Sequence, residues 1–463
     1  MIRLFRVFVP TSILVLLLSE FILLSFCYIL ASYMTLDVDP SVFLMYDGGF
    51  GRIVIIIFSI LFGLHFLDLY TDIRTVSNIA LVLEIGQAIG FAFLVEAFVA
   101  YLNAEWILPR RVMITGSAIA LVAVSGWRII YGLVFLKAFG AQRVLFLGTN
   151  PVVRDISERV AGRPELGYVN LGYVDDGYAP GEILNGAKVL GPVSALRGIV
   201  AAARPDRIVV GMTERRDRMP VQDLLDFRFS GIHIEDAGLA YEAACGRICT
   251  KELRPAQLIF SGEMGPRHSA VVWQSIYSPA LALIGTLVAL PFMLLAAAAI
   301  KLTSRGPVLY RQQRVGLNGV PFTLFKFRSM YLDAEAKTGA VWASKDDPRI
   351  TPVGRWLRKL RIDELPQLWN VLRGEMSIVG PRPERPEFVR VLAEKIPYYR
   401  QRHCVRPGIT GWAQINHKYG DTIEDTITKL EYDLYYIKHI SASLDLYIIF
   451  HTLKTMLRSR GAQ

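Results

Sequence analysis

Four long apolar runs dominate the first third of the chain: Ile13 to Tyr33, Ile53 to Leu67, Ile79 to Leu102 and Val112 to Leu136. Each approaches the length a helix needs to cross a bilayer, the second being the shortest, so the pattern predicts four membrane spans. A cleaved signal peptide is the competing account of the first run, but no small-residue cleavage site follows it and further spans come after. Arg3 and Arg6 precede the first span, Asp37, Asp39 and Asp47 dominate the loop after it, and Lys137 with Arg143 follow the fourth. That distribution places both flanks in the cytoplasm, although Arg110 and Arg111 run against it. Glu84 and Glu96 fall inside the third run, where an ionisable group is costly; a functional role and a place at a helix end or in the bundle interior both account for them.

Beyond residue 140 the pattern changes. Val144 to Leu147 followed by Gly148, and the stretches NLGYVDD and DRIVVGM, alternate with helical sequence as strands do in a parallel sheet covered by helices, ending near Gly262. A dinucleotide fingerprint would need glycines where Asn150 and Val153 stand, so close backbone approach to a pyrophosphate is not encoded.

A fifth run, Pro279 to Ile300, is long enough to span but contains Pro291, with Arg267 and His268 before it and Lys301 and Arg305 after. A straight crossing puts one basic flank outside and separates the last soluble segment from the sheet. A helix that enters, bends where proline deletes a backbone hydrogen bond, and returns to the same side avoids both conflicts. A re-entrant helix over about 276–301, bent near Pro291, is therefore expected, with an ordinary kinked span as the alternative.

Composition agrees with a membrane protein: of 463 residues, 52% are hydrophobic and 20% charged, which excludes a disordered chain and a simple soluble enzyme. The four cysteines, Cys27, Cys245, Cys249 and Cys404, lack disulfide-framework or zinc-ligand spacing and read as reduced thiols. Lys plus Arg exceed Asp plus Glu by 51 to 41. After the fifth run, LYRQQRVG, FTLFKFRSM, DDPRITPVGRWLRKLRIDELPQLWNVLRGEMSIVGPRP and VRPGITGWAQIN alternate Arg, Lys, Gly and Pro with a few carboxylates, and the implied ligand is phosphate. Arginine forks bind phosphate oxygens bidentately, which makes Lys326, Arg328, Arg358 and Arg382 candidates; a basic surface beside anionic lipid has the same composition. Pro381 and Pro383 stiffen the chain around Arg382, and Gly408 with Gly411 suggests a turn beside an interfacial Trp412.

Asp363 and Glu364 are adjacent acids among Arg355, Arg358, Lys359 and Arg361, surroundings that favour ionised carboxylates. Pro366 puts the pair at a junction between helices. Spacing alone does not separate a catalytic pair from a solvated helix end. The segment Leu444 to Leu457 suits an interfacial helix or a core helix equally.

From about Ile276 to Arg458 these residues resemble the catalytic domain of bacterial polyprenyl-phosphate glycosyl-1-phosphate transferases. The match runs through the hairpin proline, KFRSM, DELPQLWNVLRGEMSIVGPRP, RPGITGWAQIN and YDLYYIK, in that order. The four front spans and the sheet segment are similar to the long form found in exopolysaccharide initiating transferases. The sheet segment itself resembles their degenerate Rossmann-like, CoA-binding-like domain, a spacer or dimerisation module. The resemblance implies a membrane α-helical bundle over 1–139, an α/β Rossmann-like domain over 140–264, and a mostly α monotopic catalytic domain over 268–463 with a re-entrant membrane helix.

It further implies transfer of a sugar-1-phosphate from a UDP-sugar to undecaprenyl phosphate, giving undecaprenyl-diphosphate-sugar and UMP. Carried over, Asp363 would be the nucleophile of a covalent phosphosugar intermediate, and Glu364 would hold Mg2+ or assist proton handling. Arg358 would support the pair, Lys326 and Arg382 would contact phosphates, and Asp433 would be a further site acid. The implied partners are membrane lipids and, through the sheet domain, a homodimer, with no nucleic acid. The implied place is the bacterial inner membrane, multi-pass, with catalysis on the cytoplasmic side. Two departures from the family stand out: Leu290 precedes Pro291 where a serine is common, and Gln274, Ser275 and Ser278 replace charged residues at the hairpin entrance. A non-catalytic scaffold would need a broken acidic pair, and an oxidoreductase would need the missing glycines. The sugar is not encoded legibly.

Overall fold

The computed structural model describes residues 2–4, 7–9, 11–70, 78–135, 142–162, 167–212, 219–251, 253, 265–331, 347–417 and 422–457. The chain divides into two compact units, the second beginning at Ala237.

In the first unit the four apolar runs form helices α1 (Thr11–Thr35), α2 (Gly49–Phe66), α3 (Asn78–Leu102) and α4 (Arg110–Ile130), all long and apolar enough to cross a membrane. Lys137, expected to flank the fourth, lies outside the described residues. Leu16, Tyr28, Ile57, Ile60 and Ile85 are buried between the helices, while Leu18, Phe26, Leu94 and Phe98 face outward, the all-round apolarity of lipid-exposed helices. Small residues set the spacing: a Cβ on Gly63 would lie 3.0 Å from Ala88, and Gly116 accepts the Tyr28 ring. Arg111, one of the two residues that run against the charge rule, pairs with Asp37 at 3.2 Å, so the loop after α1 lies beside the start of α4. Glu96 turns inward and accepts the Leu108 N–H, tying down the connection between α3 and α4. That favours the structural account of this acid.

A buried ion pair escaped the sequence analysis. Arg128 of α4 donates through Nε to Glu20 Oε1 of α1 at 2.5 Å and through Nη1 to the Leu69 carbonyl at 2.7 Å, and Tyr70 donates to Glu20 as well. Removing one partner of a buried pair leaves an uncompensated charge, whereas replacing both by apolar residues is often neutral. Arg128→Leu is expected to destabilise the bundle by about 3–5 kcal/mol, and adding Glu20→Leu to restore most of that loss. Thermal unfolding of the detergent-solubilised protein checks this; equal losses in single and double variants would refute it.

The unit also carries a mixed α/β sheet. Strands β1 (Gln142–Leu147), β2 (Tyr168–Val174), β3 (Ala187–Gly191), β4 (Arg207–Val210) and β5 (His233–Asp236) lie in the order β3-β2-β1-β4-β5, all parallel, with Ile183–Leu184 antiparallel on the β3 edge. The intervening helices α5 (Pro151–Gly162), α6 (Leu196–Ala203) and α7 (Val221–Phe229) complete the alternation. Leu145, Leu147, Val174, Ile208 and Val210 meet Leu196 and Leu224 in the core. Gly148 has φ +95°, and a Cβ there would sit 2.5 Å from the Gly211 carbonyl, so this glycine serves strand-end packing. Asn150 caps α5 through Val153 N–H, and Arg154 lies over the Thr149 carbonyl and the Tyr178 hydroxyl. Side chains thus occupy the first turn, where a phosphate would rest in a dinucleotide site.

The second unit opens with α8 (Ala237–Cys245) and then α9 (His268–Thr303), which is helical throughout despite Pro279 and Pro291. Next come an antiparallel hairpin of β6 (Leu309–Val315) and β7 (Pro321–Phe327), then α10 (Pro352–Lys359) and α11 (Gln367–Leu372). The remainder is β8 (Ser377–Val379), α12 (Pro386–Lys395), β9 (Gly408–Thr410) parallel to β8, α13 (Ile423–His439) and α14 (Ala442–Leu457). The domain boundary expected at residue 264 lies outside the described residues, but chain well before it belongs to this unit. Glu242 of α8 takes Lys438 and His439 of α13, and Thr250 N–H donates to Glu431.

The N-terminal part of α9 is anchored by hydrogen bonds where charged residues were looked for. Gln274 Nε2 donates to the Val379 carbonyl and to Asp445, Tyr277 donates to the same Asp445, and Ser278 pairs with Ser377. Burial pushes Asp445 up to about 6 despite these donors. Trp412 is a core residue, its indole stacked on Tyr435 of α13, beside Tyr447 of α14, and donating to the Gly246 carbonyl just after α8. Gly408 sits in a strand, not a turn: a Cβ there would be 2.1 Å from the Gly380 amide nitrogen, so the glycines let two parallel backbones approach closely.

Candidate active site

Three pieces of backbone bring the acid pair together with its cations. Thr351 caps α10 through the Gly354 N–H, and Pro352 begins the helix where a missing N–H costs nothing. Gly354 has no room for a Cβ against the Ser329 carbonyl, which seats α10 on the chain leaving β7. After α10, Arg361 adopts φ +55°, and the single turn Ile362–Glu364 folds both acids inward, each only 8% exposed. Asn370 of α11 then locks this turn's sequel onto β7: its side chain accepts from Phe325 N–H and donates to the Thr323 carbonyl.

The two carboxylates are treated differently. Lys326 from β7 and Arg382 from the Pro381–Pro383 segment both donate to Glu364 Oε1 at 2.9 Å, and Arg361 stands 3.8 Å from Oε2. Burial opposes the charge, but these cations outweigh it and hold Glu364 well below the usual carboxylate range. Asp363 has no hydrogen-bond or ion-pair partner among the described residues. Burial pushes it up to about 6, against the pull of Lys326, Arg358 and Arg382, and the neighbouring Glu364 charge adds to the rise. Arg358 Nη1 is buried with no partner among the described residues, a guanidinium donor near enough to Asp363 to bias its ionisation.

Of the residues singled out in the sequence, Lys326, Arg358, Asp363, Glu364 and Arg382 converge here. Arg328 does not: it is buried, and its guanidinium donates to the Ser304 and Arg305 carbonyls, capping the C-terminal end of α9. Asp433 is one layer back. It pairs with Arg402 at 2.8 Å, and Arg402 donates to the Arg382 carbonyl, so this buried pair braces the backbone that presents Arg382. Arg402 and Asn370 were missed; Arg402 lies outside the quoted motifs and Asn370 is a neutral residue inside one of them, and their value appears only once the strand and the loops are placed. Pro291 lies inside α9, away from the acids in sequence.

Chemically, such an arrangement can hold a polyanion. Lys326, Arg358, Arg361 and Arg382 surround two carboxylates, an excess of positive charge suited to phosphate oxygens. Paired acids, one clamped and one without a partner among the described residues, sit inside a cationic shell on a domain that carries a helix long and apolar enough to cross a membrane, an arrangement able to receive a phosphate-bearing ligand. The profile of the bacterial sugar transferase family matches residues 270–459. The chain is 33% identical over 341 residues to a UDP-glucose:undecaprenyl-phosphate glucose-1-phosphate transferase of Xanthomonas campestris pv. campestris, covering 69% of this chain and 68% of that one. It is 34% identical over 320 residues to the protein of the same name from Klebsiella pneumoniae, covering 68% of each. A UDP-N-acetylgalactosamine-undecaprenyl-phosphate N-acetylgalactosaminephosphotransferase of Aeromonas hydrophila is 51% identical over 173 residues, which span 37% of this chain and 41% of that protein's length. The chain belongs to the bacterial sugar transferase family.

Proposed function

We propose that this protein transfers a sugar-1-phosphate from a UDP-sugar to undecaprenyl phosphate, releasing UMP, at the cytoplasmic face of a bacterial inner membrane. The observation that carries this is the unequal treatment of Asp363 and Glu364. A carboxylate clamped by two cations is a poor nucleophile, whereas Asp363 is ionised at neutral pH and engaged by no donor among the described residues. Its oxygen attacks the phosphorus bonded to the sugar, and the bond to the bridging oxygen breaks, so UMP leaves with the electron pair. A phosphate oxygen of the lipid then attacks the same phosphorus and frees Asp363. One phosphoanhydride replaces another, and no other energy source is consumed. Lys326, Arg358 and Arg382 offset the charge that two anionic substrates bring together.

A divalent cation fits the donor set. Among the described residues no three His, Cys, Asp or Glu side chains cluster to hold a metal, but Mg2+ keeps several waters and needs only one or two carboxylates beside substrate phosphates. Glu364 Oε2, with Asp363 next to it, is the available ligand. When bound, the ion would neutralise phosphate charge.

The re-entrant reading of α9 is supported by where its ends pack. Ala282 shares a core with Leu324 and Val371, while Ala296 and Ile300 share one with Phe327 and Leu357. Residues on either side of the Pro291 region thus both pack on one and the same domain. Leu287, Val288, Leu294 and Leu295, between the two anchors, face outward as lipid-embedded residues do. For the sheet domain, the parallel order β3-β2-β1-β4-β5 supports a Rossmann-like ancestry in which the ligand-binding turn is filled.

Membranes containing the protein, given undecaprenyl phosphate, Mg2+ and a panel of UDP-sugars, are expected to release UMP with at least one donor, and EDTA to reduce the rate at least tenfold. Absence of UMP release across the panel would overturn the proposal.

A further inference from the structure

Beside the acid pair lies a half-enclosed cavity of about 130 Å³ whose rim carries Arg361 and Glu364 and whose walls include Leu365, Leu368, Ile409, Ile415 and Met456. Its remaining polar residues are turned to one another. The Thr410 and Thr452 hydroxyls meet at 2.6 Å, Thr452 donates to the Ile448 carbonyl, and Thr455 donates to the His451 carbonyl. Gln414 donates to the Ile409 carbonyl, while its Oε1 is buried near the Gly411 backbone with no partner among the described residues. The hydroxyl groups are therefore already satisfied, and apart from the unpartnered Gln414 Oε1 what the walls offer a ligand is hydrocarbon. A nucleobase or sugar entering here would find one acceptor, Gln414 Oε1, and forfeit its other hydrogen bonds to water without replacement. A hydrocarbon would not: an apolar cavity of roughly 150 Å³ accepts a benzene-sized guest.

Leu368 connects this cavity to the membrane helix. Its methyls lie 3.8 Å from the position of a Cβ on Gly285 of α9, next to the outward-facing stretch through Leu287 and Val288. An apolar wall thus runs from the lipid-facing helix to the carboxylate of Glu364, ending at a guanidinium.

We infer that this cavity seats the phosphate-proximal isoprene unit of the polyprenyl phosphate acceptor, delivering the lipid phosphate past Arg361 to Asp363. The inference rests on the proposed function and adds the subsite that selects a branched prenyl chain. Thr455→Trp and Met456→Trp, which fill the cavity, are expected to raise the KM for undecaprenyl phosphate about tenfold and to leave the KM for the UDP-sugar unchanged. An unmoved lipid KM in both variants, or a rise in the UDP-sugar KM instead, overturns the assignment. In the wild-type protein, which needs no variant to fold, a prenyl phosphate carrying a diazirine on its first isoprene is expected to crosslink to residues 365–372 or 452–457. That labelling should be competed by undecaprenyl phosphate, and crosslinking confined to other segments overturns the assignment equally. Failure of the wild type to release UMP from any donor strikes the proposed function; normal UMP release with an unmoved lipid KM strikes the cavity alone.

Discussion

Asp363→Asn is expected to lower turnover by a factor on the order of 10⁴ or more while the protein remains membrane-inserted and at least as stable as the wild type. The two halves of that expectation come from one fact. Asp363 is nearly buried and engages no cation directly, so burial raises it to about 6 from an ordinary carboxylate value near 4. Between those values the folded chain holds a proton that the unfolded chain has released. The associated stability is therefore fully present below about 4 and is lost as pH rises through about 6. At pH 7 the wild type carries the cost of a desolvated charge, and asparagine, equal in shape, does not. Activity falls because the amide is not a nucleophile towards phosphorus. A residue kept for structure would behave in the opposite way, losing stability along with activity. Steady-state UMP release and thermal unfolding of the same preparation check both halves; activity within tenfold of wild type would remove Asp363 from the role.

The spans were legible because hydropathy is a local property: α1 to α4 fall within a few residues of the apolar runs. The Glu20–Arg128 pair was not, since each residue sits alone in an otherwise apolar run and the two are 108 positions apart. The same limit governs the site. Asp363 and Glu364 announce themselves by adjacency and basic surroundings, but that Lys326 and Arg382 both choose Glu364 depends on β7 and the Pro381–Pro383 segment meeting the turn. Arg328 shares a motif and even a strand exit with Lys326, yet the two side chains differ in use, one capping α9 and the other reaching Glu364. Residue type predicts an affinity for oxygen atoms; it does not say whether those belong to a carbonyl, a carboxylate or a phosphate. Gly408 and Gly411 teach a related point: in sequence they suggest a turn, and here, with Gly380, they make room for backbones that run close side by side.

Glu364→Gln is the second large effect, expected to reduce kcat/KM by about 10²- to 10³-fold, with the KM for the UDP-sugar rising as well. The mechanism differs from that of Asp363. Glutamine keeps the volume of the side chain but supplies at Oε1 only a neutral carbonyl to Lys326 and Arg382, which the carboxylate now draws onto one oxygen atom. Without that charge the two cations repel, and each regains side-chain entropy by turning to solvent. The arginine backbone stays in place because Arg402 and Asp433 brace it, so the disturbance is confined to the side chains that meet phosphate. Glu364 also has one of the few oxygen atoms able to ligate a divalent cation here. Loss of the carboxylate is therefore expected to raise the Mg2+ concentration needed for half-maximal rate, whereas an acid serving only to align Lys326 and Arg382 leaves that concentration unmoved. Titrating Mg2+ against UMP release in wild type and Glu364→Gln separates the two roles, and wild-type kinetics in the variant would dismiss both.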